Sequence, residues 1–141
     1  MVTPTGTEFN RDDLIYAAAF IDGEGCFELL GVPRKLCIRV KMHNSYRPVV
    51  EWFHEVFGGT FTECGVMSKR PMYSWGVNGQ NAENFCRAVL PHLKQKKPQC
   101  QHLIDCRELG QFSWHNPPPE SVVERRAELK LAIRELKEMH Y

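Results

Sequence analysis

Two carboxylates, Asp22 and Glu24, alternate with Gly23 and Gly25 at the end of the stretch Tyr16-Ala17-Ala18-Ala19-Phe20-Ile21. Leu14, Ile15, Ala18, Phe20 and Ile21 give this stretch the apolar pattern of a helix. Ala17, Ala18 and Ala19 are small enough for a second helix backbone to approach closely. The glycines predict that the helix ends here in a left-handed turn. Acids at a helix C-terminus oppose the macrodipole, at a cost of roughly a few tenths of a kcal/mol. Two of them in such a place have two chemical uses: capping hydrogen bonds, or hard oxygen ligands for a metal ion.

The rest of the chain must position that pair. At 141 residues it is long enough for one domain with its own core. A hydrophobic share of 43% with mixed charges fits a globular protein. No apolar run approaches the roughly 18 residues of a membrane span. The first residues show no basic region followed by an apolar one, so an intracellular protein is expected, in cytoplasm, nucleus or organelle, and not a secreted one. The six cysteines, 26, 37, 64, 86, 100 and 106, have no CxxC spacing and read as reduced thiols. A zinc site from Cys100, His102 and Cys106 matches no common zinc spacing and is the minor alternative.

The net charge of +1 hides a division. Residues 1–33 carry one basic and six acidic side chains; residues 34–102 carry eleven basic and four acidic ones, a local +7. Residues 103–141 sum to −1. A positive middle segment is the electrostatic footprint of a nucleic-acid surface, against the plainer reading of a solvated basic face.

Periodicity predicts the elements. Residues 1–10 form a loosely attached lead. Asn10 or Asp12 caps a helix that runs to about Asp22, with Asp12 and Asp13 favourable at its start. Cys26–Leu30 is a strand and Gly31–Arg34 a turn. Lys35–Met42 alternates strictly: Leu36, Ile38, Val40 and Met42 face a core, and Lys35, Cys37, Arg39 and Lys41 face away. Pro48–Phe57 is a helix stopped by Gly58-Gly59. Thr60–Val66 and Met72–Val77 form a second hairpin, with Tyr73, Trp75 and Val77 on its core face. Asn81–Leu90 is a helix, residues 91–99 a basic connector and Cys100–Leu109 a further helix. A loop with three consecutive prolines spans 111–119. Ser121–His140 is a charged amphipathic helix. The order is helix, hairpin, helix, hairpin, helix, then further helices.

The nine residues Ala17-Ala18-Ala19-Phe20-Ile21-Asp22-Gly23-Glu24-Gly25 resemble the LAGLIDADG motif of homing endonucleases. Ala17 stands where Leu is usual and Ala19 where Gly is usual. Three further stretches resemble the family in the right order over roughly residues 12–110. They are the helix ending in Phe57-Gly58-Gly59, the strand Tyr73-Ser74-Trp75-Gly76-Val77, and the basic segment Leu90-Pro91-His92-Leu93-Lys94-Gln95-Lys96-Lys97. The resemblance implies an α+β fold, αββαββα with a saddle-shaped four-stranded antiparallel sheet lying on the DNA major groove. Residues 11–110 would form that domain, and residues 111–141 would add the proline-containing loop and C-terminal helix.

With one motif, the resemblance implies a homodimer packed through the motif helix, around Ile15, Ala18, Ala19 and Asp22, on a pseudo-palindromic duplex. It implies a Mg²⁺-dependent endonuclease, a phosphodiester hydrolase of the kind that serves intron homing, whose sites Mn²⁺ or Ca²⁺ can also occupy. Glu24 is the expected metal ligand, with the Gly23 carbonyl. Asp22 is expected to cap or orient. Lys96 matches the family's basic residue near the reaction centre, where it would stabilise developing charge or orient water. Asn44 matches its water-positioning polar residue, in a register ambiguous by about two residues. Arg47 is the nearest candidate for a further basic helper. DNA contacts are expected from Cys26, Glu28 and Leu30; Lys35, Cys37, Arg39 and Lys41; Thr60, Thr62 and Cys64; Ser74 and Gly76; the turn Ser68, Lys69 and Arg70; and the connector's Lys94 and Lys97. These faces assume that no β-bulge intervenes. The competing readings are a maturase or regulator that binds without cutting, and an interaction module that uses the C-terminal helix.

Overall fold

The computed structural model describes residues 9–67 and 70–140. Nine elements follow in order: α1 (Arg11–Glu24), β1 (Gly25–Val32), β2 (Lys35–Asn44), α2 (Arg47–Phe57), β3 (Thr60–Met67), β4 (Arg70–Asn78), α3 (Gly79–Val89), α4 (Lys97–Glu108) and α5 (Glu120–His140). The α1 N-terminus forms because the Asn10 side chain accepts from the amides of Asp12 at 2.8 Å and Asp13 at 3.3 Å. That satisfies two of the orphan donors of a first turn, and the acids there complement the dipole. In α2, Pro48 lies in the first turn, where its missing N–H costs nothing.

The four strands make one antiparallel sheet in the order β1-β2-β4-β3, so β2 and β4 are central. Alternation fixes which side chains go inward. Phe27 and Leu29 of β1, Ile38, Val40 and Met42 of β2, and Tyr73, Trp75 and Val77 of β4 are buried under the helices. Register sets Val40 against Val77 and Met42 against Trp75. Trp75 packs on Phe53 with centroids 4.9 Å apart and on Phe85 at 5.2 Å, and its Nε1 donates to Gly58 O at 2.7 Å. Gly59, at φ +83°, passes so close that an added Cβ would lie 2.4 Å from the Gly76 carbonyl oxygen. Only glycine fits a backbone crossing of that kind.

Two expectations change here. The basic connector is shorter than its composition predicts. Leu90–His92 forms a 3-10 turn, and α4 begins at Lys97, with Pro98 in its first turn. In β3 the pairing shifts between Glu63 and Val66, with Gly65 at φ +80°. The bulge takes up an extra residue and interrupts the simple alternation at Cys64.

The C-terminal helix has a definite place. α5 packs on α4 and β1, and Leu129 and Ile133 enter the core. Arg34 pairs with Glu120 at 3.0 Å, Arg126 donates to Pro33 O at 3.2 Å, Lys130 donates to Gly31 O, and Lys137 Nζ lies 3.2 Å from Cys26 Sγ. These contacts run antiparallel to β1 and cover the edge of the sheet, which blunts an otherwise open template for strand pairing. No described helix is long and apolar enough to cross a membrane.

Candidate nucleic-acid interface and motif end

The motif pair is divided by the way α1 ends. Asp22 is half-buried and accepts from the amides of Lys94 at 2.7 Å and Lys96 at 2.8 Å. A carboxylate taking two backbone N–H groups is strongly held, so it latches residues 93–96 onto the helix end. Glu24, the last residue of α1, is exposed, as is Gly23 before it. The two acids thus do different work.

Gly25 and Gly23 correct the expected left-handed turn. Gly23 lies within the helix. Gly25 has φ −99° and ψ 176°, an extended conformation that starts β1 at once. Glycine is needed there for space: an added Cβ would meet Ile21 side-chain atoms at 2.7 Å and its Cα at 2.9 Å.

Lys96 also departs from expectation. Its side chain is only 4% exposed, and Nζ donates to Ile21 O at 3.2 Å and Gly25 O at 2.5 Å. The ammonium caps the carbonyl end of α1, where the macrodipole favours a cation and offsets the acids. The expected cation facing phosphates is therefore an internal one beneath Glu24. Lys94 and Lys97 are exposed on either side.

The open face of the sheet carries the polar alternates. Lys35, Cys37, Thr60 and Thr62 are exposed, and Glu28, Leu30, Arg39, Lys41 and Ser74 are half-buried. Arg39 and Lys41 converge on Glu28, at 3.1 Å and 3.3 Å. Burial pushes the Glu28 carboxyl up. The hydrogen bond from Arg39 and the charges of Arg39 and Lys41 outweigh this and hold it below its ordinary 4.5. Three side chains that read as independent base contacts are thus one cross-strand cluster with a net positive charge. Arg70 is exposed, while Ser68 and Lys69 lie outside the described residues.

Asn44 belongs elsewhere. By alternation it shares the helix side with Met42, and its Oδ1 accepts from the Tyr46 amide at 2.7 Å, closing the turn into α2. Arg47 pairs with Glu51 and lies 5.6 Å from the Phe61 ring centroid and 5.7 Å from that of Tyr73, away from the open face. His43 is an open-face residue that the sequence reading did not include. It is exposed, alternates with Lys41, and lies one position beyond the Gly25–Met42 pair that adjoins Glu24. The strict alternation of Lys35–Met42, extended by one residue, could have found it.

Along α1, Ile15 and Tyr16 remain 43% and 51% exposed, and Ala19 and Gly23 continue that face at helical spacing. Ala18 is wholly buried in its own chain and cannot belong to an outer helix face.

Among the described residues no three His, Cys, Asp or Glu side chains gather as a metal cluster. Cys100 and Cys106 are buried in the core and His102 is half-buried, with Cys100 Sγ donating to Cys86 O at 3.4 Å. At the motif end, the one outward carboxylate and the backbone carbonyl beside it are both hard oxygens. That chemistry suits Mg²⁺ or Ca²⁺, with further ligands from outside this chain.

No sequence-family model matches this chain, and no curated protein sequence does. Solved structures do. The homing endonuclease I-CvuI, crystallised with the I-CreI target in 2 mM Mg, superposes with a TM-score of 0.73 at 18% identity, over 89% of this chain and 82% of that one. The archaeal intron-encoded homing endonuclease I-Vdi141I, complexed with DNA, gives 0.70 at 18% identity over 89% and 84%. The I-LtrWI LAGLIDADG homing endonuclease, bound to its target DNA, gives 0.60 at 18% identity, over 88% of this chain and 44% of that longer one. The chain has the LAGLIDADG homing endonuclease fold.

Proposed function

We propose that a chain with this fold works as a site-specific DNA endonuclease, a homodimer that cuts both strands of a long pseudo-palindromic duplex. The observation that carries the reading is the contrast within the motif: Asp22 is consumed by the fold and Glu24 is left outward at the sheet's open face. A carboxylate with no structural task, beside a cationic sheet face, has its use in metal binding at a phosphodiester. Glu24 and the Gly23 carbonyl would hold Mg²⁺, which when bound supplies charge stabilisation and an acidified water. Lys96 fixes the helix end that presents Glu24. Lys41 and His43 face the duplex on the same end of the sheet. The outer α1 face, Ile15, Ala19 and Gly23, is the surface for the second copy, which brings the second Glu24 to the opposite strand.

A binder that does not cut is the second reading. It is favoured by the burial of Lys96, whose amine is spent on main-chain carbonyls. One experiment separates the two. Duplexes are selected from random sequence without divalent metal, and Mg²⁺ is then added to the recovered pool. A pseudo-palindrome cut near its centre is the expected result, with a particle near twice 16.3 kDa in solution. A sequence bound and never cut removes the nuclease and leaves the binder.

A further inference from the structure

Four basic residues of α5, Arg126, Lys130, Arg134 and Lys137, recur at helical spacing along the flank that follows β1. Three of them hold no carboxylate among the described residues. Arg126 is bound to Pro33 O and stacks 5.4 Å over Phe112, Lys130 is bound to Gly31 O, and Lys137 sits on Cys26 Sγ. The other flank behaves differently: Arg125 is paired with Glu128 at 3.1 Å. Neutral partners leave the charge of the β1 flank uncompensated. An open groove of about 760 Å³ runs between α5 and β1; its floor is apolar, with Leu29, Leu131 and Ile133, and its rim carries Lys130, Arg134, Lys137 and Glu138 from α5 and Glu28 from β1. Glu28 is already engaged by Arg39 and Lys41, so it cannot neutralise the groove. Arg134 approaches Glu138 only to 3.7 Å, with side chains 77% and 69% exposed, a pair too solvated to hide its charge.

Because Glu28 belongs to the open sheet face, the groove continues that face past its edge. Resting on the DNA-binding reading above, we propose that α5 is a lateral wall that takes the phosphate backbone of one DNA strand as the duplex lies on the sheet. Arg126 is buried and anchors the wall to the β1–β2 turn. Lys130, Arg134 and Lys137 contact phosphates. They span about 10 Å of helix, which matches about three phosphate steps of one strand at 3.4 Å of axis each. Lys137, against Cys26, is at the end nearest Glu24, and Lys130 is farther along the strand toward the β1–β2 turn.

The test is the salt dependence of binding to a mixed-sequence duplex without divalent metal, read for the parent chain and three variants. The triple variant Lys130→Gln, Arg134→Gln, Lys137→Gln should flatten the slope of log K against log salt by about 2.7, at 0.9 for each phosphate contact. Arg134→Glu alone, at a largely exposed side chain, should flatten it by about 1 or more. Arg125→Gln, on the other flank, should leave it as in the parent. An unchanged slope in the triple variant and in Arg134→Glu, beside a normal parent slope, overturns the wall and leaves the sheet-face reading intact. An equal loss in Arg125→Gln overturns it too, because general charge would then be the cause. A parent that binds no duplex in a salt-dependent way overturns both readings.

Discussion

Along β2, Ile38, Val40 and Met42 are buried, and the residues between them, Cys37, Arg39, Lys41 and His43, point the other way. The same ten-residue strand therefore writes two chemistries. On the helix side each side chain is held by many weak contacts in a close-packed core, where Trp75 lies 4.9 Å from Phe53 and 5.2 Å from Phe85, and Phe57 lies 5.0 Å from Phe85. On the open side few contacts hold a residue, and charge decides what it does. The helix side maintains a shape. The open side is available for work because none of the described elements packs over it.

The motif acids repeat the contrast on a smaller scale. Asp22 is spent on structure and Glu24 is not. The largest expected effect follows from this: Glu24→Gln should lower cleavage by about a thousandfold or more, several kcal/mol of barrier, while duplex affinity stays within a few fold. Parallel cleavage and gel-shift assays check this, and normal cutting would remove Glu24 from the reaction. The helix side is tested by Trp75→Ala, expected to destabilise by about 3–5 kcal/mol in denaturant unfolding. A loss below about 1 kcal/mol would mean that the aromatic cluster is not the rigid half of the comparison.

Asp22→Asn sharpens the division of labour. It should cost about 2 kcal/mol, since it weakens two amide bonds to a carboxylate. Because the latch positions Glu24 from behind, activity should fall less than in Glu24→Gln, and a loss as large as that one would give Asp22 a direct part in the chemistry.

The smallest effect is on the open face. The depressed Glu28 carboxyl contributes stability that is complete above its ordinary 4.5 and is lost as pH falls through its lower folded value. Glu28→Gln should remove that acid-side slope from the melting profile. It should also strengthen non-specific duplex binding by releasing Arg39 and Lys41. A variant with the parent's acid slope and weaker binding would contradict the cluster.

Much was legible in advance. The two hairpins, the core side of each strand and the stop of α2 at Gly58-Gly59 all follow from period-2 and period-3.6 patterns and from glycine. Local pattern misled where the deciding contact is distant in sequence. Lys96 reads, by resemblance, as a basic residue near a reaction centre, and its ammonium is held by carbonyls about 75 residues earlier in the chain. Asn44 reads as a site residue by resemblance, in a register ambiguous by about two residues, and its side chain accepts from the Tyr46 amide at the turn into α2. Ala18 and Ala19 are adjacent small residues, and only the helix's rotation against the sheet assigns one to the core and the other to the outside.

The sequence by itself determined the elements, the sheet's two faces and the presence of a motif with two acids, because these depend on side-chain size, polarity and spacing along a few turns or strands. The tertiary structure alone decided where the buried lysine goes, that Glu28, Arg39 and Lys41 form one cluster, and that α5 runs beside β1. The lysine and α5 outcomes depend on hydrogen bonds brought together across about 70 to 110 residues of chain, a distance over which no local pattern carries information, and the cluster depends on which side chains meet across the β1–β2 hairpin.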